Sequence, residues 1–182
     1  MKKLIILDRD GVINHDSDDY IKSTDEWLPI KGSLEAIARL NHADYIVTVA
    51  TNQSGIGRKL FGADTLVQIH NKMHRMVEEV GGRIDAVFFC PHKPGDACDC
   101  RKPEPGLYRD IADRFRVSLD GLPVIGDSLR DLQAALTVKA QPYLVRTGKG
   151  KTTETMLEPS GLANVPVFNN LSAVVDHLLV SE

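Results

Sequence analysis

Short apolar runs of strand length alternate with longer amphipathic stretches along this chain. The runs lie at residues 3–7, 45–50, 84–90, 122–125 and 142–145. They are rich in Ile, Val, Leu and Phe, the pattern of strands buried on both faces of a parallel sheet. Between them, apolar residues recur at helical spacing. Leu34, Ile37, Ala38 and Leu40 share one face after Ser33, which reads as an N-cap. Leu66, Ile69, Met73, Met76, Val77 and Val80 repeat until Gly81 and Gly82 stop them. Leu107, Ile111 and Phe115 follow Pro105, and Leu129, Leu132, Ala135 and Leu136 follow Asp127. A last helix is predicted over 171–179.

Strand and helix alternating in this way predict an α/β fold, a doubly wound, Rossmann-like parallel sheet covered by helices. The segments 14–31 and 91–101 break the alternation and read as short loop insertions. The stretch 149–166 also reads as irregular. Nothing resembles an internal repeat or a linker, so residues 1–182 read as one domain without a large cap domain.

Ligands bind such sheets at the carboxyl ends of the strands, so the residues after each run matter most. Asp8, Arg9, Asp10 and Gly11 follow the first. Thr51, Asn52, Gln53, Ser54 and Gly55 follow the second. A cysteine-rich loop and Arg101, Lys102 and Pro103 follow the third, and Gly126, Asp127 and Ser128 follow the fourth. Carboxylates, hydroxyls and cations are thus expected at one edge of the sheet. Two carboxylates so close together repel unless a cation neutralises them, and Mg²⁺ is the natural cation for hard oxygen ligands. Taken alone, the pair could equally be a helix cap and a solvated turn acid.

All three cysteines fall within one short stretch. Cys90, His92, Cys98 and Cys100 form a set of thiolates and imidazole that suits tetrahedral Zn²⁺. Four protein ligands leave no position for water, so this zinc would be structural, with 90–101 as its loop. It would fix where Lys102 meets the substrate.

Composition narrows the class. The 182 residues are 42% hydrophobic and 26% charged, with a formal net charge of −3. That balance argues against a nucleic-acid partner, which calls for a basic excess. The opening apolar run is broken by Asp8, too early for a secretory segment. No window approaches the roughly 20 apolar residues of a membrane span. A cytoplasmic monomer with no membrane partner is expected.

The strand-end groups resemble the four ordered motifs of the haloacid dehalogenase superfamily of phosphatases: Asp8-Arg9-Asp10-Gly11, then Thr51-Asn52, then Lys102-Pro103, then Gly126-Asp127 with Asp131 four residues on. The resemblance spans nearly the whole chain. It implies Asp8 as the nucleophile that forms an aspartyl-phosphate and Asp10 as the general acid and base. It implies Thr51 and Lys102 as holders of the phosphoryl oxygens, helped by backbone amides around 52–55. Mg²⁺ would lie among Asp8, the backbone carbonyl of Asp10, and Asp127. Asp131 would support the site, for example by bonding to Lys102. The family usually has Thr where this chain has Val12, which removes one hydroxyl near the first loop.

Cys90-Pro91-His92 through Cys98-Asp99-Cys100-Arg101-Lys102-Pro103 resembles two families within the superfamily, the heptose bisphosphate phosphatases and the histidinol-phosphate phosphatases. The residues 51–56 and 145–149 lean toward the first. The resemblance there departs at Gly57-Arg58-Lys59, where the family usually reads Ala-Arg-Gly. It implies hydrolysis of a sugar bisphosphate, with the β anomer of the heptose favoured. Arg101 is the first candidate for substrate recognition. Asp16, Tyr20, Asn52, Gln53 and Ser54 are further substrate contacts, and Arg58, Lys59, Arg146 and Lys149 are basic candidates for the retained phosphate. A zinc-stabilised phosphate-binding module without catalysis is the alternative of another class, and haloalkanoate dehalogenation is a weaker one, since it needs neither Asp10 nor Mg²⁺.

Overall fold

The computed structural model describes residues 3–180. Six strands form one sheet, all pairs parallel, in the order β3-β2-β1-β4-β5-β6. They are β1 (Lys3–Leu7), β2 (Tyr45–Asn52), β3 (Ala86–Cys90), β4 (Pro123–Gly126), β5 (Gln141–Val145) and β6 (Val167–Phe168). The helices are α1 (Ser33–His42), α2 (Ser54–Gly57), α3 (Ala63–Glu79), α4 (Gly106–Phe115), α5 (Leu129–Thr137), α6 (Gly150–Met156) and α7 (Leu171–Val180).

Strand side chains alternate between faces, and this divides the core. Ile5, Leu7, Val47 and Val49 point to one side. There they pack with Ile37 and Leu40 of α1, Ile69, Met73 and Val77 of α3, and Val174 of α7. Leu4, Ile6 and Ala50 point to the other, against Leu107 and Ile111 of α4 and Ala134 and Ala135 of α5. Trp27, wholly buried, anchors the 14–31 insertion to the first cluster.

Three expectations need correction. Ser33 is not an N-cap. Gly32 holds that position at φ 85°, and the Ser33 hydroxyl donates to the Val12 carbonyl at 2.8 Å. The β2 strand runs past residue 50 through Asn52, so Thr51 and Asn52 pair with Phe89 and Cys90 in the ladder. The stretch 149–166 is not irregular throughout, since α6 begins at Gly150. No separate cap domain is inserted among the described residues, and none of their helices is long and apolar enough to cross a membrane.

The chain winds from β1 outward to β3 on one side, then returns beside β1 and winds out to β6 on the other. The reversal leaves a crevice at the carboxyl ends of β1, β2 and β4, where such sheets bind ligands.

Candidate active site

A cavity of about 280 Å³ opens at that crevice. It is lined by Asp8 and Asp10 from the loop after β1, Thr51 to Ser54 from the end of β2, Arg101 and Lys102 after β3, and Asp127 after β4. Asp16 and Tyr20 from the 14–31 insertion close one side. A larger hollow of about 710 Å³ lies at the amino ends of the strands, against Leu4, Tyr45 and Phe115, and holds none of these carboxylates.

Lys102 is the electrostatic centre. Its buried ammonium lies 3.1 Å from Asp8 Oδ1 and 2.7 Å from Asp131 Oδ1, and it donates to the Ala50 carbonyl at 2.6 Å. Burial opposes its charge, but Asp131 and Asp8 outweigh that and hold its pKa well above the ordinary lysine value. Asn52 fixes the backbone of Lys102 from both sides. The Lys102 amide donates to Asn52 Oδ1 at 3.1 Å, and Asn52 Nδ2 donates to the Lys102 carbonyl at 3.0 Å. Asp131 is wholly buried and belongs to a capping box of α5, its Oδ2 accepting from the Ser128 amide at 3.1 Å and hydroxyl at 2.6 Å. Burial works against its ionisation, yet Lys102 and Ser128 together keep its pKa below the ordinary carboxylate value.

Asp8 and Asp10 differ sharply. Burial pushes the Asp8 carboxyl up to about 7; Lys102 opposes the rise, and Asp131 and Asp10 add to it. Asp10 is also desolvated, but the Arg9 guanidinium and hydrogen bonds from Asn14, Gln53 and Arg9 hold it below the usual range. Arg9 Nε donates to Asp10 Oδ1 at 3.0 Å and its Nη2 at 2.9 Å, while Asn14 Nδ2 reaches the same oxygen at 2.8 Å. Gln53 Nε2 donates to Asp10 Oδ2 and to Thr51 Oγ1, both at 2.9 Å, which ties the β2 end to the first loop.

Asp127 completes the mouth. Its Oδ2 accepts the Lys149 amide at 2.7 Å. Gly11 and Gly148, at φ 84° and 57°, close on it so tightly that a Cβ at either would collide with Asp127 Oδ2. Burial, with Asp131 and Asp8 nearby, pushes the Asp127 carboxyl up to about 8. Oxygens of Asp8, Asp127 and Asp131 lie within 4.8 Å of one another. Carboxylates this close, with Asp8 and Asp127 pushed above the usual carboxylate range, form a hard-oxygen donor set that a Mg²⁺ ion fits.

The second donor set is sulfur-rich. Cys100 Sγ is 3.0 Å from Cys90 Sγ, Cys98 Sγ is 3.9 Å from Cys90 Sγ, and His92 Nδ1 is 3.4 and 3.3 Å from Cys90 and Cys100. A tetrahedral zinc shell with bonds of about 2.3 Å has ligand edges of about 3.8 Å, so the four atoms could close around one ion. Gly57 packs on this loop. Its amide donates to the Pro91 carbonyl at 2.9 Å, and a Cβ there would come within 2.7 Å of that oxygen. This is a physical reason for glycine where the family usually has alanine.

This geometry redraws several sequence expectations. The Gln53 amide donates to the Cys90 carbonyl and does not face the cavity as a phosphate donor. Arg146 is forked onto Glu154 at 2.7 and 2.8 Å, outside the cavity lining. Lys59 is exposed and also outside it. Lys149 lines the cavity, but its ammonium is 3.5 Å from Asp16 and 3.2 Å from Asp18. Arg58 lies over the Tyr20 ring, 5.9 Å from its centroid, and Arg101 donates to the His92 carbonyl at 3.2 Å. Arg130 joins them at the mouth and has no counterpart among the sequence expectations. Its one sequence signal is a place in the first turn of α5, between two residues with evident roles. Arg9 and Asn14 are likewise additions of the structure; Asn14 lies four residues past Asp10, within side-chain reach. Val12 is wholly buried, and beside it Thr147 Oγ1 donates to the Gly11 carbonyl at 2.6 Å.

Among curated proteins, the chain is 56% identical over 178 residues to D-glycero-β-D-manno-heptose-1,7-bisphosphate 7-phosphatase of Bordetella bronchiseptica, covering 97% of this chain and 98% of that one. The enzyme of the same name from Pseudomonas aeruginosa is 50% identical, covering 98% of each. The chain belongs to the heptose bisphosphate phosphatase family of the haloacid dehalogenase superfamily. A solved structure of D,D-heptose 1,7-bisphosphate phosphatase from B. bronchiseptica, complexed with magnesium and phosphate, matches with a TM-score of 0.94 at 55% identity over 99% of both chains. Two family models also match this chain. One, polynucleotide kinase 3 phosphatase, covers residues 3–128, and the other, HAD-hydrolase-like, covers 99–174. They overlap across Lys102, so each of the four strand-end motifs falls inside at least one of the two matches.

Proposed function

We propose that this chain hydrolyses the 7-phosphate of D-glycero-β-D-manno-heptose 1,7-bisphosphate through an aspartyl-phosphate on Asp8, in the supply of ADP-heptose for the lipopolysaccharide core. The observation that carries the chemistry is the Asp8–Lys102–Asp131 array beside Asp10. The substrate rests on the full-length likeness to enzymes of that name.

Asp8 Oδ attacks the phosphorus, and the bond from phosphorus to the sugar oxygen breaks. Asp10 gives that oxygen a proton as it leaves. Its carboxyl is held ionised before substrate arrives, and an anionic phosphoryl group beside it raises its hold on a proton. Asp10 then takes a proton from water, which attacks the acyl phosphate and frees Asp8. Lys102 and Thr51 hold the phosphoryl oxygens as charge shifts. Asp8, the Asp10 carbonyl and Asp127 would hold Mg²⁺, which when bound offsets the repulsion between anionic nucleophile and anionic ester. Asp131 anchors Lys102. Arg101, Arg58 and Arg130 form a cationic rim for the retained phosphate, with Asp16, Tyr20 and Ser54 beside it.

In this reading residues 1–182 are one catalytic domain working as a cytoplasmic monomer. Zn²⁺ on Cys90, His92, Cys98 and Cys100 shapes the 90–101 loop. Phosphate release with Mg²⁺ present, compared between the heptose bisphosphate and histidinol phosphate, tests the substrate. A kcat/KM at least about 100-fold higher for the bisphosphate is expected, worth about 2.7 kcal/mol of transition-state discrimination. A preference for histidinol phosphate would overturn the assignment.

A further inference from the structure

Arg9 lies between the two aspartates of the first motif, wholly buried. Its Nε and Nη2 fork onto Asp10, and its Nη1 lies 3.2 Å from Nε2 of His70, on α3 and 61 residues away in sequence. A guanidinium only donates, so Nε2 of His70 must be the acceptor and the ring proton must sit on Nδ1. The ring is almost wholly buried, edge-on to Phe89, with centroids 6.5 Å apart. Burial, then the Arg9 charge and His74, push the imidazole down to about 3 against a smaller pull from Asp10, so it stays neutral and keeps its lone pair.

We infer that His70 is a positioning residue for the reaction: by accepting from Arg9 Nη1 it fixes the plane of the guanidinium, and the guanidinium in turn aims the Asp10 carboxyl at the leaving oxygen. The inference rests on the acid role of Asp10 proposed above. Without the acceptor, the Arg9 fork can swing about its Cγ–Cδ and Cδ–Nε bonds. Asn14 and Gln53 would then be left to hold Asp10, one on each oxygen. A small misplacement of a catalytic group costs far more in rate than in stability.

The test uses two substrates in the Mg²⁺-loaded protein. The heptose bisphosphate has an alkoxide leaving group that needs a proton. p-Nitrophenyl phosphate has one that leaves without it. The kcat/KM value reports steps through leaving-group departure, so its alkyl-to-aryl ratio isolates the acid. Asp10→Asn should lower that ratio by about 100-fold or more. His70→Leu should lower it about tenfold, mainly through kcat rather than KM. His70→Gln, which keeps an acceptor, should restore it to within about threefold of the starting protein. If His70→Leu does not fold, His70→Met makes the same comparison. A proportional loss on both substrates, or a glutamine variant no better than leucine, would reduce His70 to a structural role and overturn the inference. A wild-type ratio in Asp10→Asn would overturn the acid reading beneath it. A shift in Asp10→Asn with none in His70→Leu would overturn the His70 inference alone.

Discussion

In the proposed mechanism one carboxylate gives a proton to the leaving oxygen and then takes one from water, so it must keep one orientation through both steps. Asp10 meets that demand with Arg9, Asn14 and Gln53 on its two oxygens. The cost lies in the groups behind it, because Arg9 is a buried cation and His70 beside it must stay neutral. This sets a pH dependence of stability. An unfolded histidine titrates near 6.5 and the folded ring near 3. The unfolded chain therefore takes up a proton first as pH falls, and stability drops across that window. Between pH 7 and pH 5 the expected loss from His70 is about 2 kcal/mol. Urea unfolding of the native protein and of His70→Gln, both with Mg²⁺, should show a shallower fall in the variant. Parallel curves would mean that His70 does not titrate as described.

At the scale of elements, the site is made by the loops that leave the carboxyl ends of the strands. Strand patterning exposed β1 to β5 because Ile, Val and Leu runs survive as sequence signals wherever both faces are buried. It missed β6, whose two residues are too few to show a period. It missed α6 because its sequence, GKTTETM, offers almost no apolar face. That helix is held by tertiary contacts instead, including the Thr153 hydroxyl donating to the Asp127 carbonyl at 2.8 Å. The strand-end carboxylates, Lys102 and the cysteine loop could be read because their chemistry is rare in fixed order. Arg9–His70 could not, because only the tertiary fold brings two residues 61 apart in sequence into hydrogen-bond contact. The cysteine loop leads directly into Lys102, so metal loss should be felt at the cavity. With zinc on these four ligands as proposed, its chelation should speed amide exchange across 91–101 and lower kcat/KM by about tenfold or more. Full activity with unchanged exchange in zinc-free protein would contradict that coupling.

At the scale of the whole molecule, the sheet reverses its winding at β1, and the acidic groups Asp8, Asp127 and Asp131 gather there as a candidate cation site. Asp8 and Asp127 are raised to about 7 and about 8 in the metal-free fold. That fold binds more protons than the unfolded chain, so their contribution to stability is lost as pH climbs from about 4 through those values. Mg²⁺ takes the deprotonated form, so its stabilisation should grow with pH. The Tm increment from saturating Mg²⁺ should be larger at pH 8 than at pH 5.5, and Asp127→Asn should diminish it. An increment that falls with rising pH would place the ion elsewhere. The proposed covalent role of Asp8 is tested most directly by acid-quenching the protein during turnover of substrate labelled with ³²P at the 7-phosphate. Protein-bound label that hydroxylamine releases, and that is absent from a folded, inactive Asp8→Asn variant, is the expected result. Turnover without any protein-bound label, or an Asp8→Asn variant that still hydrolyses the ester, would contradict it.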